Sequence, residues 1–283
     1  MWDYMVKRIL IPVDFTIQNH DLLGCVGQFK ALGLEKIILL HVVDIYHAQG
    51  LVPMFEKNAN EVIKEYKQYL EDIDIDSQTL VIQGEVKSTI ANVANEYDVD
   101  CILMGTTIKN PIKGRILGRT TDYVANNSGK MLLVEKYKLK EDGKEEVYEK
   151  VCTPTFKRPM VPLDFSDKSM DIIKKLSPLQ NYMDKIYLIN VIEKTRNISG
   201  IEQMKKQNES KLAEAGNILE GINVETIVST GDPAEEINKS ADAKDATLIA
   251  FRASSKGMIK KFLIGSTAYD LLNKTWKPVL LIP

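Results

Sequence analysis

The chain has 283 residues, 44% of them hydrophobic, enough for about two globular domains with ordinary cores. Lysine and arginine number 37 against 39 aspartates and glutamates, a formal net charge of −2, which argues against the basic surface of a nucleic-acid or anionic-membrane binder. No apolar run approaches the ~20 residues of a membrane-spanning helix, and the N-terminus reads without a signal-peptide cleavage pattern.

In chain order, short runs rich in Val, Ile and Leu predict strands over 8–13, 36–43, 79–82, 101–104 and 131–134. Their weak alternation suits a parallel sheet covered on both faces. Helical patterns fall between them. Phe55, Ala59, Val62, Ile63, Tyr66 and Leu70 recur at three- and four-residue steps as one apolar stripe. From Lys136 to Lys150 most residues are charged, which predicts a solvated linker unable to bury apolar area.

Beyond that segment the pattern starts again. Residues 7–16, KRILIPVDFT, return at 157–166 as KRPMVPLDFS. Residues 81–85, VIQGE, return at 228–232 as VSTGD, and 116–120, ILGRT, return at 263–267 as LIGST. Three matches in one order mark an internal repeat. The expected units are 1–136 and 156–283, joined by 137–155. Ile201, Met204, Asn208, Leu212, Ala215 and Leu219 form the second copy's long helix, with Asn208 its one polar interruption. Thr16 and Ser166 stand where an N-cap would open the first helix of each copy. The alternation of strand and helix implies a doubly wound sheet, whose ligands bind outside the carboxyl ends of the strands.

That rule singles out Pro12, Val13 and Asp14 after the first strand, Val42 after the second, and Gly105 just beyond Met104 after the fourth. Gly118, Arg119, Thr120 and Thr121 open the last helix, where free N–H groups and the helix dipole favour an anion. Asp14 is suited to accept a hydrogen bond from a base or a ribose. It is equally suited to cap a turn, and the glycines to serve chain geometry. The cysteines, Cys25, Cys101 and Cys152, are odd in number and far apart, so they read as reduced thiols of a cytoplasmic protein. His41 is expected at a strand end and His47 in a solvated loop, and no metal site is predicted.

The pieces 11–16 (IPVDFT), 39–44 (LLHVVD), 102–105 (ILMG), 116–118 (ILG), 162–166 (PLDFS), 231–233 (GDP) and 262–267 (FLIGST) together resemble the universal stress protein family. The resemblance covers both copies. It implies two tandem α/β domains of the adenine nucleotide alpha hydrolase-like type. Each would hold a five-stranded parallel sheet of order 3-2-1-4-5 and dimerise through its last strand. Paired halves on one chain would satisfy that contact internally, with the two final strands near each other, and leave a homodimer of whole chains open. Some members bind ATP or AMP through a pattern G-x2-G-x9-G-[ST], with the first-strand Asp and the second-strand Val near the base. Carried over, these positions are Asp14 and Val42, and in the second copy Asp164 and Val191.

Neither copy holds the whole pattern. In the first, Gly105 and Gly118 fit, but Ile108 and Arg119 replace a glycine and the small hydroxyl residue. In the second, Gly265 and Ser266 fit, followed by Thr267, while Arg252 and Ser255 replace the first two glycines. The expectation is therefore an adenine nucleotide, ATP or AMP, in at most one half. The alternative is a ligand-free interaction module. Arg119 either clamps phosphate, fills the emptied pocket or points to solvent, and the loss of glycine at Ile108 favours the plug. No pyrophosphate loop, G-x4-G-K-[ST] loop or Ser/His/Asp set supports an enzyme.

Overall fold

The computed structural model describes residues 6–15, 21–30, 32–47, 50–108, 118–141, 146–150, 154–193, 198–219, 221–252 and 266–283. Thr16, His20, Cys152, Ser255 and Gly265 lie outside them.

The first half runs β1 (Arg8–Pro12), α1 (Gly27–Lys30), β2 (Lys36–Asp44), α2 (Val52–Asp72), β3 (Ser77–Gly84), α3 (Val86–Glu96), β4 (Cys101–Ile108), α4 (Arg119–Asn127) and β5 (Met131–Glu141). A short β6 (Glu146–Lys150) follows. The second half runs β7 (Pro159–Pro162), α5 (Asp167–Leu176), a 3-10 turn (Ser177–Tyr182), β8 (Ile186–Ile192), α6 (Ile198–Gly216), β9 (Val224–Thr230), α7 (Pro233–Ala243), β10 (Leu248–Arg252), α8 (Ser266–Lys274) and β11 (Val279–Ile282).

All the strands join in one 11-stranded sheet, β3-β2-β1-β4-β5-β11-β10-β7-β8-β9, with β6 paired to β5. Read from either end, each half has the order 3-2-1-4-5, and its internal pairings are parallel. The two fifth strands meet antiparallel, with Val279 opposite Val134, Leu280 opposite Leu133 and Leu281 opposite Leu132. The expected nearness of the final strands is therefore a direct ladder, and two separate five-stranded sheets become one.

Alternate residues of each strand feed opposite faces. Ile9, Ile11, Ile37 and Leu39 enter one apolar core, and Leu10, Ile38 and Leu40 the other. Both cores continue through β5 and β11 into the second half. Phe29 and Phe156 meet edge to face across the halves, 5.5 Å between ring centres.

Helix starts follow capping chemistry. Ser166 caps α5 by accepting from the Ser169 amide at 3.2 Å. Asp232 caps α7 by accepting from the Glu235 amide at 3.0 Å, with Pro233 in the first turn.

Three features differ from the sequence expectations. β4 does not end at Met104 but continues to Ile108, its added residues paired with Glu135 through Lys138 of β5. The segment read as a solvated linker is β5's extension and β6, and Glu135, Lys136 and Tyr137 are fully buried, Glu135 against Thr155, Lys136 against Leu272 of the second half and Tyr137 against Gly105 of the first. Along α2, Ala59, Ile63, Tyr66 and Leu70 are buried, but Phe55 is exposed, so the stripe is shorter than its sequence pattern.

Candidate functional site

The strand order sets the carboxyl ends of β1, β2 and β4 side by side in the first half, which gathers Pro12, Val13, Asp14, Val42, Met104 and Gly105 at one rim of the sheet. Val13, Val42 and Met104 are buried, Pro12 and Gly105 half-buried, and Asp14 exposed. His41 lies within β2 rather than at its end. Its Nδ1 is 2.9 Å from the Val13 carbonyl oxygen. A carbonyl only accepts, so Nδ1 carries the proton. Burial lowers the His41 pKa, opposed by the bond to Val13 and the charge of Asp14. The next residue, Phe15, has φ 59° and stacks on the His41 ring at 4.2 Å. His47 is exposed, as expected, and pairs with Asp44 at 2.7 Å.

Gly105 has a structural partner that sequence reading did not supply. A Cβ added there would stand 3.0 Å from Cε2 of Tyr137. The glycine thus makes room for a buried ring, and burial pushes the Tyr137 hydroxyl pKa up. Gly118 is the extended residue before α4, with φ −68° and ψ 153°, and open space where its Cβ would be. Arg119 is exposed at the first helical position, Thr120 is half-buried and Thr121 buried. An exposed guanidinium does not fill a pocket, so the arginine as placed is no plug.

The second half repeats the geometry with its polar groups committed elsewhere. Asp164 accepts from the Ser166 amide at 3.0 Å and from its hydroxyl at 2.6 Å. Burial raises the Asp164 pKa, but hydrogen bonds from Ser166 and Ser169 outweigh it and hold the carboxyl below its usual range. Arg252 ends β10 and donates to Asp171 of α5 at 2.6 Å. Val191 is half-buried on β8, and Ser266 and Thr267 open α8. Beside them lies a groove of about 540 Å³. Among the described residues its walls carry four carboxylates, Glu193, Asp232, Glu235 and Asp270, and no Lys or Arg. These four carboxylates work against a bound polyphosphate, in opposition to the helix N-termini. Glu193, Glu235, Asp270, Asp171 and Tyr137 were not singled out from the sequence, and Asp232 only as part of a repeat motif, because nothing in their local pattern tells a site wall from a solvated face.

Among the described residues, no group of three or more His, Cys, Asp or Glu is placed to hold a metal ion, and no helix is long and apolar enough to cross a membrane. Cys25 and Cys101 are buried, with Cys25 Sγ 3.2 Å from the Asp21 carbonyl oxygen, and burial raises the Cys101 pKa to about 12.

The topology and the twofold repeated rim define a class: a doubly wound α/β protein built twice on one chain, with one candidate ligand edge per copy. The sequence pattern of the universal stress protein family matches residues 5–136 and again 155–283. The chain belongs to the universal stress protein family. It is 31% identical over 157 residues to universal stress protein MJ0577 of Methanocaldococcus jannaschii, a match spanning 47% of this chain and 97% of that protein. Universal stress protein MJ0531 of the same organism is 26% identical over 140 residues, covering 45% of this chain and 82% of that one. A solved universal stress protein from Archaeoglobus fulgidus shares the fold over 98% of this chain and 97% of its own, with TM-score 0.71 and 20% identity.

Proposed function

We propose that this universal stress protein is a regulatory binding protein that takes one adenine nucleotide, ATP or AMP, in its first half, and that its second half is a structural partner without a ligand. The observation that carries this is the asymmetry between the rims. In the second half Arg252 is paired with Asp171, and the described walls of the neighbouring groove carry four carboxylates. In the first half Arg119 is exposed at a helix N-terminus, on the half that also carries Asp14 and buried Val42. There Asp14 would accept from the base or ribose, and the α4 amides with Arg119 would meet phosphate. The reading is of binding rather than catalysis, in a cytoplasmic protein whose thiols stay reduced.

Native mass spectrometry with and without ATP and AMP tests the stoichiometry, with one nucleotide per chain expected. Calorimetry then compares Asp14→Ala with Asp164→Ala. The first should lose most of the affinity and the second little. Equal losses, or a mass unmoved by millimolar ATP, would overturn the reading.

One observation favours the notion of a ligand-free interaction module. The β4–β5 ladder runs through Gly105 to Ile108, and the Tyr137 ring backs Gly105, so those residues form sheet where the family pattern has a phosphate loop. The unmoved mass would support that second reading.

A further inference from the structure

Each acid-bearing turn leaves its first strand under the same constraints. The Val13 amide donates to Leu40 at 2.8 Å, and the Leu163 amide donates to Ile189 at 2.8 Å. The carbonyls of the same two residues are held by a side chain one position further along the second strand. In the first half this is His41 Nδ1 to Val13 at 2.9 Å, and in the second Asn190 Nδ2 to Leu163 at 2.7 Å. The acid follows, and after it Phe15 and Phe165 stand at φ 59° and 61°. A bulky aromatic residue rarely enters that left-handed region, and strain of this kind persists only where its surroundings over-determine it.

The two halves over-determine it with different chemistry. In the first, the Phe15 ring stacks on His41 at an interplanar angle of 17°, with Tyr66 tilted 5.9 Å away. In the second, Asn208 of α6 donates to Asn190 Oδ1 at 2.8 Å, which fixes which way the Asn190 amide points. Lys211 adds its ammonium 5.1 Å above the Phe165 ring. Ala59, Ile63, Tyr66 and Leu70 on α2 recur at the same spacing as Asn208, Leu212 and Ala215 on α6 and Leu219, which lies in the turn after α6 rather than on the helix as its pattern predicted. Asn208 thus takes the place of Ala59, which explains the polar interruption in an otherwise apolar stripe.

We propose that His41 in the first half, and Asn190 together with Asn208 in the second, are positioning residues that fix the acid-bearing turn and so aim Asp14 and Asp164. The imidazole, oriented by its stack, does alone what takes two amides on the other side. Removing the donor takes from the carbonyl of buried Val13 its bond to His41 and lets Phe15 relax, which swings Asp14 out of place. Only the nucleotide arm of the test rests on the first-half binding reading.

The test transplants one device into the other half. Amide exchange by mass spectrometry is followed over the turns at 13–15 and 163–165 in the full chain. His41→Leu should speed exchange across the first turn by about tenfold, the scale of one lost buried hydrogen bond. His41→Asn combined with Ala59→Asn should restore slow exchange. Reciprocally, Asn190→His with Asn208→Ala should keep the second turn slow where Asn190→Leu does not, and this pair decides the matter if the first-half variants fail to fold. ATP affinity should fall with His41→Leu and return with the double variant. Unchanged exchange in both leucine variants, or folded transplants that restore neither turn, would overturn the proposal. A parent chain that binds no ATP sinks the nucleotide reading alone, since the exchange measurement still decides the positioning role.

Discussion

Gly105 separates a ligand role from a packing role at a single carbon atom. Alanine there would press Cβ to 3.0 Å from the Tyr137 ring, and a ring in a full core yields little. Gly105→Ala should therefore cost about 1–3 kcal/mol in chemical denaturation, and adding Tyr137→Leu should return most of it. A glycine kept for a nucleotide would instead leave stability alone and cost binding. Arg119 is exposed, so under the first-half reading Arg119→Ser should weaken ATP more than adenosine, through loss of a charge-assisted contact. Calorimetry showing ATP bound more tightly would restore the plug. His41 carries a pH signature. Burial holds its folded pKa below the usual 6.5, so its contribution to stability is complete above pH 6.5 and is lost as pH falls through the folded value. The His41→Asn, Ala59→Asn variant should lose less stability than the parent between pH 6.5 and 5, and parallel denaturation curves would contradict this.

At the scale of elements, the helix starts are the most legible part of the sequence. Ser166 reads as an N-cap and is one, so Ser166→Ala should cost about 1 kcal/mol, as should Asp232→Ala at α7, both measurable by urea denaturation. The buried parallel strands are also legible, because runs such as 9–11 and 37–40 have no polar side to show. Strand ends were not. Gly105, Thr106 and Thr107 carry turn and strand chemistry alike, and only their partner ladder on β5 decides for strand. That partner was itself hidden, because Glu135 and Lys136 look solvated until the second half covers them. Phe55 erred the other way. Its spacing fits the apolar stripe, but the first turn of α2 projects past the core, and Leu51 and Met54 beside it are exposed too. Of the candidate site, the acid, its neighbours on three strands and the last helix start were legible from spacing. The partners that hold the second copy's polar groups were not, since Asp171 meets Arg252 only through the fold.

The whole molecule is held together at β5 and β11, and Lys136 is the polar group most exposed to a test there. Its ammonium donates to the Leu272 carbonyl at 2.9 Å, near the carboxyl end of α8, so a lysine of one half caps a helix of the other. Burial lowers its pKa to about 7 from the usual 10.5. The folded state therefore releases this proton before the unfolded chain does, and stability should rise with pH between about 7 and 10. Lys136→Met should flatten that rise at little cost at neutral pH, as measured by urea denaturation along a pH series. A parent curve already flat across that window would refute the assignment. The antiparallel meeting of the fifth strands also turns the carboxyl ends of β1 and β7 toward opposite rims of the sheet. In a pair of identical subunits, every mutation at one rim is written into the other as well. Here each rim is encoded separately, so one copy can accumulate Arg252 and a wall of acids while the other keeps its own inheritance, and selection can act on either without consulting its twin.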